Sequence, residues 1–159
     1  MSVTTTTVPG MRLAAIRHVG PYNQIGRVFG QLHDIVTAAG LPHREFLGIF
    51  YDDPAATPAD QLRSDAAVIV DEGVTLPAGV VEQRIPAGQY LTTDHHGSYE
   101  RLRETWDRFK REIAEATGQR EPRGYTFELY RNTPMDTPED KLLTTLYMAV
   151  AGAARHAAP

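Results

Sequence analysis

Val3–Tyr22, VTTTTVPGMRLAAIRHVGPY, overlays Val80–Tyr99, VVEQRIPAGQYLTTDHHGSY, at an offset of 77. The overlay sets Val3 on Val80, Pro9 on Pro86, His18 on His95, Gly20 on Gly97 and Tyr22 on Tyr99, with apolar Val8 on Ile85. At an offset of 80, Thr57–Leu62 falls on Thr137–Leu142 and Val70 on Val150, while Tyr51 pairs with Tyr130 between these blocks. Self-similarity at this length is the signature of a duplicated unit, and it governs the reading of everything else in the chain.

Each copy follows one pattern: a short strand, a Pro/Gly turn, a second strand, a helix, then two more strands. Tyr99, Leu102, Trp106, Phe109, Ile113 and Ala116 recur at three- and four-residue spacing after Ser98, a plausible N-cap, and before Gly118. Tyr22, Ile25, Phe29, Leu32, Val36 and Ala39 form the equivalent stripe, with Pro21 at the start and Gly40 as the stop. Both helices, 22–39 and 99–117, therefore have one apolar face. Strands are expected at 45–51, 65–70, 125–131 and 144–150, with a Thr-Pro-x-Asp turn before each last strand and a linker at 71–77. The expectation is an α+β fold. It is a single domain, 1–159, with a module repeat at 3–70 and 80–150 and a frayed tail at 151–159. Antiparallel sheets and two helices are related by a pseudo-two-fold axis, with a binding groove at that axis.

The totals narrow the function. At 159 residues, 42% of them hydrophobic, the chain can bury a sizeable core. A net charge of −4, with Lys and Arg scattered among acids, argues against a nucleic-acid partner. No cysteine is present, which excludes a disulfide framework and thiolate metal sites. The start of the chain lacks a charged leader followed by an apolar run, and no stretch suits a membrane span, so a cytoplasmic location is expected. His95 and His96 are adjacent, with no third histidine at helical spacing, so no metal or other cofactor is expected. His18 and His95 occupy equivalent strand ends and read as structural. Asp52 and Asp53 precede Pro54 and read as a solvated turn. Walker-type, Gly-x-Ser-x-Gly and Gly-x-Gly-x-x-Gly motifs are absent.

Packing explains what two copies share, so function is sought where they differ. With Tyr51 on Tyr130, Glu128 falls on Ile49: a carboxylate stands where the other copy is apolar. Such an acid either faces water on an exposed strand or is buried at a cost that something must offset. Alternation puts Thr126, Glu128 and Tyr130 on one face and Phe127 and Leu129 on the other, toward the helix. Glu128 is then expected on the side away from the helix, with Tyr147 on its face and Tyr51 and Tyr130 as opposed walls. An acid ringed by tyrosines suits a lipophilic cation, through Coulomb attraction and ring faces.

The stretches His18–Tyr22, Tyr51–Pro54, Leu62–Ala67, Pro86–Tyr90, His96–Tyr99 and Phe127–Asn132, in this order and spacing, resemble the GyrI-like effector-binding family. Its members are found at the C-termini of AraC-type and MerR-type bacterial regulators and as free-standing relatives of gyrase-inhibitory proteins. The resemblance covers about 3–150. It implies small-molecule binding, with the groove acid at Glu128 and aromatic walls at residues such as Tyr51, Tyr90, Trp106 and Tyr147. Trp106 and Tyr90 serve equally well as core fillers. Since Val3 already belongs to the first strand, a stand-alone member without a helix-turn-helix is expected. Three activities follow: binding of lipophilic, cationic or aromatic molecules; hydrolysis of strained electrophiles, with Glu128 activating water; and interaction with gyrase.

Overall fold

A computed structural model describes residues 3–122 and 124–150; the expected tail at 151–159 lies outside them. Among the described residues the fold is α+β, with eight strands that pair antiparallel and two α-helices. In order these are β1 Thr4–Val8, β2 Met11–Val19, α1 Gly26–Ala39, β3 Phe46–Phe50, β4 Arg63–Val70, β5 Val81–Ile85, β6 Gly88–His96, α2 Leu102–Thr117, β7 Thr126–Tyr130 and β8 Leu143–Ala149. Each helix is entered through a short 3₁₀ turn, Tyr22–Gln24 or Tyr99–Arg101, so it starts a few residues later than the apolar stripe suggests. Ser98 accepts from the Glu100 amide at that entry (3.1 Å).

Two compact units result. The first, Gly10–Ile85, has strand order β5-β2-β4-β3 and carries α1. The second joins β1 to the chain from Pro86 onward, with order β1-β6-β8-β7 and α2. The units and the sequence repeat thus differ by one strand, because the opening strand of each copy pairs within the other unit. Turn chemistry accounts for this. Only Pro9-Gly10 and Pro86-Ala87 separate β1 from β2 and β5 from β6. A two-residue hairpin favours primed turns with positive φ at the first position, which proline does not adopt. The strand therefore runs on to a different neighbour rather than folding back.

Each helix covers one face of its own sheet. In the first unit Val28, Leu32 and Val36 of α1 pack on Ala14, Ala66, Val68 and Val70. In the second, Phe109 and Ile113 of α2 pack on Leu91, Leu146 and Met148. Gly40 and Gly118 close the helices with φ of 59° and 75°. Replacing Gly118 by Ala is expected to cost about 1 kcal/mol, since a side chain disfavours the left-handed region. Gly30→Ala in α1, where a Cβ meets nothing within 4 Å, is expected to gain up to about 1 kcal/mol from helix propensity. Thermal denaturation of the two variants checks both signs. Among the described residues, no helix is long and apolar enough to cross a membrane.

Candidate functional site

Glu128 is the middle residue of β7, and its position in the sheet decides what surrounds it. It stands opposite Leu146, which in turn stands opposite Thr93 on β6. Leu146 belongs to the core beneath α2, so Glu128 points to the helix side of the sheet. This corrects the alternation reading, which placed it on the side away from the helix. The reason is that β7 is buried on both faces: Phe127 is 0% exposed, Leu129 5% and Glu128 5%. Polarity alternation cannot say which buried face a helix covers.

Two donors hold the carboxylate. The Trp106 indole N–H, from α2, reaches Oε2 at 2.6 Å. The Tyr130 hydroxyl donates to Oε1 at 2.8 Å. Among the described residues no Lys, Arg or His forms an ion pair with Glu128. Burial raises its proton affinity above the ordinary glutamate value, against the pull of the two hydrogen bonds. Burial, and next the negative charge of Glu128, push the Tyr130 phenol well above its usual value. The Tyr99 ring lies 5.5 Å from that of Tyr130, and its phenol is raised by burial and then by Glu128. In the sequence Tyr99 is the repeat partner of Tyr22, the start of a helix stripe and the end of the stretch 96–99, none of which marks it as a neighbour of Glu128. Its hydroxyl, which donates to the Asn132 carbonyl at 3.4 Å, gave no sequence signal of belonging here.

Trp106 and Tyr130 are therefore the named aromatic residues that meet Glu128. Tyr147 stands opposite Phe127, on the reverse face, with the rings stacked at 4.4 Å. Tyr90 packs edge-on against both and donates to the Pro86 carbonyl at 3.0 Å. Neither lies on the Glu128 face, and for Tyr147 this corrects the expected placement. Tyr51 belongs to the first unit, where its hydroxyl donates to Asp65 at 2.5 Å and its ring lies beneath the Arg17 guanidinium. The expected solvated turn describes Asp53; Asp52 instead pairs with Arg63 at 2.9 Å, whose hydrogen bonds hold its carboxyl below the ordinary value.

The register also changes the comparison between copies. Phe46 pairs with Val68 and Gly48 with Ala66, as Thr126 pairs with Met148 and Glu128 with Leu146. The backbone bonds just beyond, Tyr51 to Arg63 and Arg131 to Leu143, correspond as well. The counterpart of Glu128 is therefore Gly48, not Ile49, and that of Tyr130 is Phe50. On the helices, buried Val28, Leu32 and Val36 correspond to Thr105, Phe109 and Ile113, which sets Trp106 on Phe29. The first unit thus builds this corner from Gly48, Phe29 and Phe50. The fold does not require the acid or either of its donors.

His18 and His95 bond to the backbone at the helix entries. His95 Nε2 meets the Ser98 carbonyl at 2.8 Å and Nδ1 the Thr105 hydroxyl at 2.7 Å, while His18 Nε2 meets the Pro21 carbonyl at 3.0 Å. Among the described residues, no group of three or more His, Cys, Asp or Glu residues is arranged to hold a metal ion.

The family model described as the GyrI-like small molecule binding domain matches residues 1–151. The chain belongs to this family. A DNA gyrase inhibitor 2 from Dickeya dadantii is 30% identical over 134 residues, 82% of this chain and 85% of that protein. Among solved structures, the fold is similar to EcmrR in a cryo-EM complex with DNA, with a TM-score of 0.78 at 15% identity. That match covers 97% of this chain and 57% of EcmrR. It is also similar to SAV2435, solved bound to tetraphenylphosphonium, with a TM-score of 0.69 at 15% identity, covering 96% of this chain and 95% of that one.

Proposed function

We propose that this GyrI-like domain binds lipophilic, aromatic cations, with Glu128 as the counter-charge and Trp106, Tyr130 and Tyr99 as the aromatic surround. The observation that carries the reading is a buried carboxylate with two neutral donors and, among the described residues, no cationic partner, at a place the fold fills elsewhere with Gly48. A buried acid is costly to keep; a function that needs its charge accounts for its presence. Tetraphenylphosphonium, the ligand of SAV2435, has the chemistry such a site selects: a delocalised cation with aromatic faces.

Trp106 is the chain's single tryptophan, and its indole N–H bonds to the proposed charge partner. Titration with tetraphenylphosphonium is therefore expected to change the intrinsic fluorescence saturably, and Trp106→Phe to abolish that signal. A flat titration, with no binding by calorimetry, refutes the reading. Incubating a strained electrophile with each protein tests for turnover: hydrolysis by wild type but not by Glu128→Gln would make Glu128 a general base. A second reading is favoured by the gyrase-inhibitor relative. In it the domain contacts gyrase, and a supercoiling assay with added protein separates that activity from ligand binding.

A further inference from the structure

Three buried hydroxyls have no hydrogen-bond partner among the described residues: Ser64, Thr126 and Thr144. Ser64 and Thr144 hold equivalent positions, each opposite a structural histidine, His18 or His95. That pair recurs in both units and so belongs to the shared fold. Thr126 is different. Its counterpart is Phe46, whose ring sits 6.4 Å from that of Phe29, the counterpart of Trp106. In the second unit a small residue with an unanswered hydroxyl replaces that ring. It stands on the face that carries Glu128, opposite Met148 of the α2 core.

An unanswered buried hydroxyl is unfavourable unless something meets it, and here it lies two residues from the proposed charge partner. We infer that Thr126 is a specificity residue of this site, selecting cations that carry a hydroxyl or amine set apart from the charge. This deepens the reading of Glu128 as counter-charge and rests on it. A strand rises about 3.3 Å per residue, so Thr126 and Glu128 stand roughly 6–7 Å apart along β7. The oxygen of (4-hydroxyphenyl)triphenylphosphonium lies at a comparable distance from its phosphorus.

The experiment titrates this compound and tetraphenylphosphonium against wild type, Thr126→Val and Glu128→Gln, followed by Trp106 fluorescence, with a thermal melt of each protein. Wild type is expected to prefer the hydroxylated cation roughly three- to tenfold, the range of one net hydrogen bond. Thr126→Val, which keeps the branched shape, is expected to erase that preference while leaving tetraphenylphosphonium affinity and melting temperature unreduced. Equal affinities in wild type, or equal weakening of both cations by Thr126→Val, would overturn the inference. If Glu128→Gln weakens both cations while Thr126→Val discriminates nothing, only the role of Thr126 falls. If Glu128→Gln changes neither, or neither cation binds wild type, the counter-charge reading falls and this inference with it.

Discussion

Glu128→Gln is expected to weaken tetraphenylphosphonium binding by about 1–3 kcal/mol, the scale of a charge-assisted contact in a poorly solvated site. A neutral triaryl analogue is expected to lose much less. The substitution suits the comparison because the site can accept an amide. The glutamine oxygen takes the Trp106 N–H that now meets Oε2 at 2.6 Å. Its NH₂ then donates to the Tyr130 oxygen, whose own hydrogen rotates away. Shape and both contacts are kept, and only the charge goes. Titrating two ligands against two proteins closes a cycle whose coupling term isolates charge against charge from general damage to the site. Equal weakening of the cationic and neutral ligands would mean that Glu128 acts through hydrogen bonding or structure and is not a counter-charge.

The carboxylate stands out in the sequence because the similarity of 3–22 to 80–99 supplies an internal control, and the same control shows where sequence reading stops. The repeat at 3–22 and 80–99, the helix stripes and the strand positions are all legible, since each rests on local spacing that the backbone preserves. Pairing partners are less so. Pro9 and Pro86 carried the information that β1 and β5 do not fold back as hairpins, but a Pro/Gly turn by itself reads as a reversal. Setting Tyr51 on Tyr130 slipped the comparison by one residue and hid the correspondence of Glu128 with Gly48, which only the ladder register reveals. A one-residue slip in a strand also exchanges its faces. The face of Glu128 was lost for another reason: Phe127 and Glu128 are both buried, so alternation had no exposed side to anchor it. Trp106 is legible as an aromatic wall only through the family resemblance, while Tyr99 shows in the repeat, the helix spacing and the stretch 96–99, none of which points to Glu128. The place of Tyr99 beside Tyr130 depends on how α2 approaches β7.

The same buried acid is expected to make stability and cation affinity move in opposite directions with pH. The folded-state proton affinity of Glu128 is raised above the ordinary value of 4.5, chiefly by burial. A group raised in this way contributes stability that is fully present below its unfolded value and lost as pH climbs through its folded one. Wild type should therefore lose melting temperature relative to Glu128→Gln as pH rises from about 4.5, and the difference should level off once Glu128 is ionised. A gap of a few degrees corresponds to about 1 kcal/mol for a chain of this size. Asp52, held low by Arg63, contributes stability with the opposite dependence, but it is common to both proteins and cancels in the difference. A cation needs the ionised carboxylate, so tetraphenylphosphonium affinity should rise over the window in which wild-type stability falls. Binding within that window releases a proton, and calorimetry in buffers of different ionisation enthalpy measures it. Glu128→Gln should show neither the rise nor the release. A wild-type melting curve that stays parallel to the variant's from acid to neutral pH would show that Glu128 titrates at its ordinary value, and the proton-linked mode of binding would fall with it.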